Sequence, residues 1–591
     1  MNDYIFTNTA IKEKENYTLV LKKKNIKLYE NKNTVNKLKY LLKNNLLIII
    51  IGEIILYNNK KFEIDKFVQK IKNFNLEKIN SVLSKLSGNF NLIIFDFEKE
   101  KLFFARDVEA TLPQYYNIYR NKFWISNLPF NLLNTKKINK QFCIHYLFFR
   151  YDYVYGNNKT FLKNINFVEA ATSVYFFNSK IKIKKYWDKS FDQKKYYNIS
   201  YNHAKKKTLS ILKKCFKEFK LKKNLKNSIL ALSGGLDSAT VAAIFKINKH
   251  KLKSFTAFYN SNDVVNETQP AKKIAQENCK SWKKIEINSK QFFNEWKSCY
   301  DIFSFPVCTS SFLGYLILYK KVKKLGYKNI INAGVGDHFF LGNFTVLKYY
   351  LADLFFNKDK SFILELNCWI KNFSTLEFPK TQELFFKFLK KHNFKKYGKL
   401  YSYKLLPELT GSNYLNKRLY NKDLNIFKGS SFIDAYQKQA IWFSERQPGL
   451  LPFLEIENFT QLKSIDPFDQ IKLKNFFYNL NPKFKIKNGI GKTIIRDVLK
   501  KNLPECVLEN KSKIGFNVPF SSWMLEDNEM HSFILKKIKL FKKLPFKDIV
   551  KIEKLILDFS NKKAYLQNTE NSMFIWQITN LVMWYCKKNF I

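Results

Sequence analysis

The segment Ser228-Ile-Leu-Ala-Leu-Ser-Gly-Gly-Leu-Asp-Ser-Ala-Thr240 changes character twice. An apolar run ends at Leu232, Ser233-Gly234-Gly235 has the composition of a tight turn, and a helical pattern begins near Asp237-Ser238. Glycines let a backbone approach a ligand closely, and the free N–H groups at a helix start favour an anion. A pyrophosphate group suits a turn of this kind, with Leu232 at the strand end and the Ser233 and Ser238 hydroxyls as added donors. Asp237 is out of place beside phosphates unless it holds Mg²⁺, which prefers carboxylate oxygens. The alternative is an ordinary strand-to-helix turn built of small residues.

The pattern around this segment repeats strand and helix. A helix is expected over 207–219, and the segment's own strand and helix over 228–232 and 238–245. Strands follow over 254–258, 282–287 and 329–333, with helices over 270–278 and 313–324. Such alternation implies a parallel sheet covered on both faces. From about residue 345 the chain reads as mainly helical, and Phe574 to Tyr585 as a buried helix. Before residue 190 the texture differs. Short β-branched or aromatic runs (46–51, 89–97, 101–105, 122–126, 173–177 and 181–186) alternate with turn residues, and helical spacing is seen over 33–44 and 76–86. The expected fold is an α+β sandwich with antiparallel sheets over 1–190, then an α/β domain with a parallel sheet and a helical C-terminal part over 203–591. The polar stretch 188–202 is the expected linker.

Composition narrows the classes further. Hydrophobic residues at 46% exclude wholesale disorder. The 103 Lys+Arg against 49 Asp+Glu give a formal charge of +54. That admits an anionic partner, but Lys, Asn, Ile, Phe and Tyr run high together, as in an AT-rich genome, and the lysines are scattered. No nucleic-acid motif accompanies the charge, so no nucleic-acid partner is expected. The eight cysteines are widely spaced with no CxxC pair, which argues for reduced thiols and against a zinc site. The opening MNDYIFTNTA has no basic region followed by an apolar run, and the run 46–57 contains Glu53 and is too short to span a bilayer. A cytoplasmic protein without a membrane partner is expected.

SGGxDS at a strand end resembles the pyrophosphate loop of ATP-pyrophosphatases, which cleave ATP to AMP and pyrophosphate. It differs from the Walker A pattern, which needs GKS or GKT. Further motifs extend the likeness over nearly the whole chain. Leu86-Ser-Gly-Asn-Phe-Asn-Leu-Ile-Ile-Phe-Asp96, Leu102-Phe-Phe-Ala-Arg-Asp107, Pro113-Gln-Tyr-Tyr116, Phe123-Trp-Ile-Ser126 and Lys185-Tyr-Trp-Asp188 resemble the N-terminal domain of the asparagine synthetase family. Asp466-Pro-Phe-Asp469, Gly491-Lys-Thr-Ile-Ile-Arg496 and Lys513-Ile-Gly-Phe516 resemble its PFLD, TKxxLR and KxGF elements. β-Lactam synthetases and lasso-peptide cyclases are relatives. The resemblance implies an Ntn-hydrolase-like first domain of the class II amidotransferase type, and a second domain of the adenine nucleotide α-hydrolase type that takes ATP and Mg²⁺.

Two departures matter. Glutamine-using relatives start Met-Cys, and that cysteine releases ammonia; here residue 2 is Asn2 and the first cysteine is Cys143. The family's Asn-Gly oxyanion element also fails, since Ile51-Gly52-Glu53 has an aliphatic side chain at that place. The first domain is therefore expected to be catalytically dead, a scaffold or a binding surface. The second departure is Asn332-Ala-Gly-Val-Gly-Asp-His-Phe-Phe-Leu-Gly342, where the family reads SGEGxDE. The glutamate position falls on Gly334 or Val335, and the aspartate position on Asp337 or, in another register, His338. Glu267, Glu455 and Glu457 are candidate replacements for the missing base.

By resemblance, Asp237 and Asp337 hold Mg²⁺, Ser233, Gly234, Gly235 and Ser238 cradle pyrophosphate, and Lys513 with Asp337 serves the chemistry. Lys492 either adds charge near the pyrophosphate or lies on the surface. The implied reaction adenylates a small-molecule or peptide carboxylate and joins it to an amine. Rival readings are an intramolecular cyclase, whose partner would be a precursor peptide or its leader, and a non-catalytic ATP-binding scaffold. A homodimer is a further expected partner state.

Overall fold

The computed structural model describes the chain apart from residues 1–2, 10–15, 33–37, 44, 58–59, 72–73, 109–111, 130–136, 150–157, 188–195, 223–224, 262–263, 265, 343, 374–382, 384–430, 438–449, 512–514, 546 and 589–591. The expected linker over 188–202 lies largely outside the described residues, and its last residues already belong to a long helix, Tyr201–Lys222.

Two antiparallel sheets make up the N-terminal half. The first runs Asn166–Phe167, Tyr115–Tyr119, Lys122–Ser126, Tyr4–Thr7, Ile26–Asn31, Tyr17–Lys23. The second runs Lys180–Lys185, Thr172–Phe177, Lys101–Arg106, Leu86–Asp96, Leu46–Tyr57, Lys39–Lys43. Over Leu46–Ile51 the strand Leu46–Tyr57 is buried on both faces. Leu47, Ile49 and Ile51 enter the core between the sheets, while Leu46, Ile48 and Ile50 meet the helices Ile64–Ile71 and Leu76–Leu83. A strand covered on both sides needs no polar alternation, which is why it reads as a continuous hydrophobic stretch.

One local expectation is corrected here. The spacing over 33–44 predicts a helix, yet Lys39–Lys43 is an edge strand, with Leu41 opposite Ile48 and Leu42 opposite Leu47. Ladder hydrogen bonds to a well-anchored neighbour outweigh a weak helical period. The helix expected over 76–86 stops at Leu83, and Leu86 already starts the next strand.

In the second half, five strands form one wholly parallel sheet in the order Ser281–Ile287, Lys253–Tyr259, Ser228–Ala231, Asn329–Ile331, Lys463–Ile465. The fifth strand, Lys463–Ile465, falls in the region read as helical. The chain steps outward from the central strand Ser228–Ala231 twice, then crosses to its other side at Asn329–Ile331. Strand order therefore reverses between these two strands. In open parallel sheets, ligands bind beyond the carboxyl ends of the strands at such a point.

The halves share a core. Helix Lys140–Phe149 lies against the buried C-terminal helix Thr569–Lys587, with Phe148 and Phe574 ring centroids 5.7 Å apart. Phe161 meets Trp584 at 5.4 Å. Tyr146 donates its hydroxyl to Val307 O at 2.8 Å and accepts from Gln577 Nε2 at 2.6 Å on its own carbonyl. Among the described residues no helix is long and apolar enough to cross a membrane.

Candidate functional site

The central strand ends at Ala231, and Leu232 stays tied to the sheet. Its N–H donates to Phe255 O at 2.8 Å, its carbonyl accepts from Thr256 Oγ1 at 2.7 Å, and its side chain is buried. Leu232 thus anchors the loop and has no free donor for a ligand. Beyond it the turn is held by its own serines. Ser238 Oγ accepts from Ser233 N at 3.1 Å and lies 3.0 Å from Ser233 Oγ, which in turn accepts from Gly235 N at 3.1 Å. Helix Leu236–Ile247 then starts from Gly235 with no side-chain cap. Its first N–H groups point beyond the strand end, where an anion would satisfy them.

The second loop of the reversal point follows Asn329–Ile331. Asn332 N donates to Ile465 O at 3.0 Å, and Val335 N donates to Asp466 Oδ2 at 3.0 Å. Asp466 also accepts from Phe468 N, so this carboxylate at the end of the fifth strand fixes the loop. Gly336 closes on the first loop: a Cβ there would stand 3.0 Å from Asp237 Cγ. That contact brings the next residue, Asp337, to the same side.

Lys492 joins the two loops. Its Nζ lies 2.5 Å from Asp237 Oδ2 and 2.7 Å from Asp337 Oδ1, and the residue is only 7% exposed. The surface alternative for this lysine is thereby removed. Lys492 adopts a left-handed backbone (φ 61°), an uncommon conformation for a residue with a side chain. Its side chain runs over Gly342, where a Cβ would stand 1.8 Å from Lys492 Cε. Only glycine fits at 342 while the lysine takes this path. Of the two residues left open for the loop carboxylate, Asp337 is the one whose side chain reaches Lys492; the side chain of His338 lies outside the described residues.

These residues fit a divalent cation. Two carboxylates face one point, a cation already bridges them, and the second oxygen of Asp237, Oδ1, is buried without a hydrogen-bond partner. Two hard oxygen ligands with remaining positions for phosphate oxygens are the donor set that Mg²⁺ favours.

Arg496 extends the arrangement. It donates to Gly491 O at 3.2 Å, Leu508 O at 2.6 Å and Asn510 O at 2.8 Å, which ties the Lys492 turn to the segment leading into residue 511. Burial lowers its pKa and the charge of Asp237 opposes that shift. Lys513 itself lies outside the described residues.

The candidate bases separate. Glu455 is buried under the junction of the halves and accepts from Ser304 N at 3.0 Å. Glu457 accepts from Ser464 N at 2.9 Å. Glu267 sits over the SGG turn instead, its Cβ 3.3 Å from where a Cβ on Gly234 would be. Burial pushes its carboxyl up to about 7. Val335, one of the two positions for the absent glutamate, packs on the core around helix Leu236–Ile247. Sequence reasoning missed the roles of Gly342 and Asp466. The only signals were a glycine at the end of the loop and an acid opening the Asp-Pro-Phe-Asp element.

In the N-terminal half, Ile51 is 1% exposed within the core between the sheets. Cys143 is wholly buried on helix Lys140–Phe149, and that burial pushes its thiol well above the ordinary range.

A family model described as a glutamine amidotransferase domain matches residues 71–187. Among solved structures, the chain is similar to one titled the allosteric regulatory enzyme of purine biosynthesis, at 14% identity over 40% of this chain and 50% of that one, with a TM-score of 0.17. It is also similar to glutamine phosphoribosylpyrophosphate amidotransferase from B. subtilis complexed with ADP and GMP, at 11% identity over 44% of this chain and 51% of that one, with a TM-score of 0.18. The chain thus spans about half the length of these structural relatives. No curated protein matches it significantly. The family model described as asparagine synthase matches residues 228–585, from the first strand of the parallel sheet into the last helix and over more than half of the sequence, and the chain belongs to the asparagine synthase family.

Proposed function

We propose that the chain is a ligase that uses ATP to activate a carboxylate as its adenylate and then forms an amide. The carrying observation is the meeting of Asp237, Asp337 and Lys492 at the reversal point of the parallel sheet, beside the uncapped helix start of the SGGLDS loop. A substrate carboxylate oxygen attacks the α-phosphorus, the bond from that phosphorus to the bridging oxygen breaks, and pyrophosphate leaves. An amine nitrogen then attacks the acyl carbon, AMP departs, and the nitrogen gives up its proton. The loop N–H groups with Ser233 and Ser238 receive the pyrophosphate, and Lys492 offsets its charge. Asp237 and Asp337 are the carboxylates that would hold Mg²⁺, whose charge would balance that building on the departing group. Glu267 is the proton acceptor this reading favours, because it flanks Gly234 and its carboxyl titrates near neutrality.

The amine does not come from glutamine hydrolysis in this reading. Ile51 is locked in the core where a donor is needed, and Cys143 is buried with a thiol that resists ionisation. The first domain serves as a scaffold through the shared core. A second reading, an intramolecular cyclase acting on a small molecule or precursor peptide, is favoured by the apolar Val335 in the loop where a base is expected.

The test is an assay of the purified chain with ATP and Mg²⁺, once with aspartate and ammonia and once with aspartate and glutamine. Pyrophosphate, AMP and asparagine are quantified, with Asp237→Ala as the blank. Asparagine from ammonia alone supports the synthetase form and removes the cyclase. Asparagine from glutamine overturns the inactive first domain. Pyrophosphate release with no candidate acid, including a peptide, sinks the ligase itself if it never exceeds the blank.

A further inference from the structure

We infer that Lys492 is a resident counter-ion that keeps the Asp237–Asp337 pair closed to a free divalent cation, so that metal enters only together with nucleotide phosphate. The nucleotide half of this inference rests on the function proposed above. The counter-ion half rests on geometry alone.

Asp237 and Asp337 are the only partners of the Lys492 ammonium among the described residues. Two carboxylates this close, both largely removed from water, repel one another unless a cation lies between them. The lysine supplies that cation from within the chain. Its position is built in from two sides. The left-handed turn at Lys492 aims the side chain inward, and Gly342 leaves the groove along which it runs. A hydrated metal ion arriving alone would have to displace a covalently tethered ammonium from both carboxylates.

Phosphate changes the balance. An anion seated at the start of helix Leu236–Ile247, whose first turn carries Asp237, gives the ammonium a further acceptor. Asp237 Oδ1 is buried without a hydrogen-bond partner even with the ammonium in place. A divalent ion that carries its own phosphate ligands supplies that oxygen with a partner once the lysine has turned to the phosphate. Coupling of this kind is reciprocal: nucleotide raises metal affinity by the same factor as metal raises nucleotide affinity.

The experiment is equilibrium dialysis of the full chain against Mn²⁺, with and without an α,β-methylene ATP analogue, which cannot release pyrophosphate. Wild-type protein should retain no Mn²⁺ at this site alone and should retain it with the analogue. Lys492→Met should retain Mn²⁺ without nucleotide, at least about tenfold more tightly than wild type. The double variant Asp237→Asn with Lys492→Met should lose that gain. Gly342→Ala, which displaces the same side chain, gives an independent variant should Lys492→Met fail to fold. Mn²⁺ retained by wild type as tightly without the analogue as with it overturns the inference, as does a folded Lys492→Met that gains nothing. The case in which wild type retains no Mn²⁺ under either condition is separate: a Lys492→Met gain that depends on Asp237 then keeps the counter-ion role and instead overturns the ATP reading.

Discussion

Both halves bury cations, and Arg106 in one and Lys492 in the other are bonded in different ways. In the N-terminal sandwich, Arg106 is fully buried, with Nε donating to Leu112 O at 2.8 Å, Nη1 to Val168 O at 2.5 Å, and the guanidinium 4.5 Å over the Phe167 ring. Two carbonyls and an aromatic face meet it, the Glu169 carboxyl feels its charge, and it stitches loops to strands. In the parallel-sheet half, Lys492 is received by two carboxylates at a point where strand order reverses and a helix start is left uncapped. A cation bonded to carbonyls is a structural tie. Opposed charges gathered beside unsatisfied N–H groups are poised for a ligand, because each has something to gain from an added anion or cation. The comparison separates what each half gathers: the sandwich fills its Ile51 position with core, while the parallel sheet brings opposed charges together where strand order reverses.

The largest test of that contrast is Asp237→Asn. Pyrophosphate release should fall by roughly 10²–10³-fold with the circular dichroism spectrum unchanged, as expected when a preorganised charge at the reacting group is lost. A smaller loss would move the site away from the Asp237 loop.

Trp584→Ala probes the core shared by the halves. Trp584 is buried against Phe161 and donates to Ser304 O at 2.8 Å. Its removal should cost about 3–5 kcal/mol in urea unfolding. Two separated transitions would show that the halves unfold apart, and a single shifted one that they unfold together. Gly342→Ala sharpens the picture on the parallel-sheet side. The methyl meets Lys492, so stability should drop by about 1–3 kcal/mol while pyrophosphate release falls much further than Trp584→Ala lowers it. Unchanged release would mean that the lysine's path is unimportant.

Glu455 gives a pH-dependent test under the junction. Burial pushes its folded-state carboxyl up to about 8, whereas the unfolded chain releases that proton near the usual carboxylate value. Its neutral form therefore stabilises the fold at low pH. That contribution shrinks as pH rises toward about 8, by about 1.4 kcal/mol per unit for one group. Glu455→Gln should flatten the fall in denaturation midpoint between mildly acidic and mildly alkaline pH; an unchanged slope would assign the fall elsewhere. The smallest effect is expected from Cys143→Ala. Product formed from ammonia should not change, and glutamine should remain unused before and after the substitution. A glutamine-dependent product lost in the variant would restore chemistry to the sandwich.

Much of this was legible in advance where the signal is local. The strand, SGG turn and helix of 228–247 form where the residue pattern puts them, and the strand Leu46–Tyr57 is covered on both sides over 46–51 because those residues are apolar on both faces. Lys39–Lys43 misled, since a few leucines at helical spacing were overruled by pairing with a strand close behind them. Lys463–Ile465 was too short to register, and it is a strand because Asn329–Ile331 offers it an open edge.

The sequence by itself determined the alternation of elements, the family motifs and their order, and the absence of a donor side chain at Ile51. Only the tertiary structure decided that Lys492 is buried, that Asp337 faces Asp237 across it, and that Glu267 lies on the loop while Glu455 does not. Turns and periods arise from neighbours in the chain, which the sequence displays directly. Lys492 stands 255 residues from Asp237 and 155 from Asp337. Their meeting depends on sheet order, a left-handed turn and the missing Cβ of Gly342, which act only once the chain is packed.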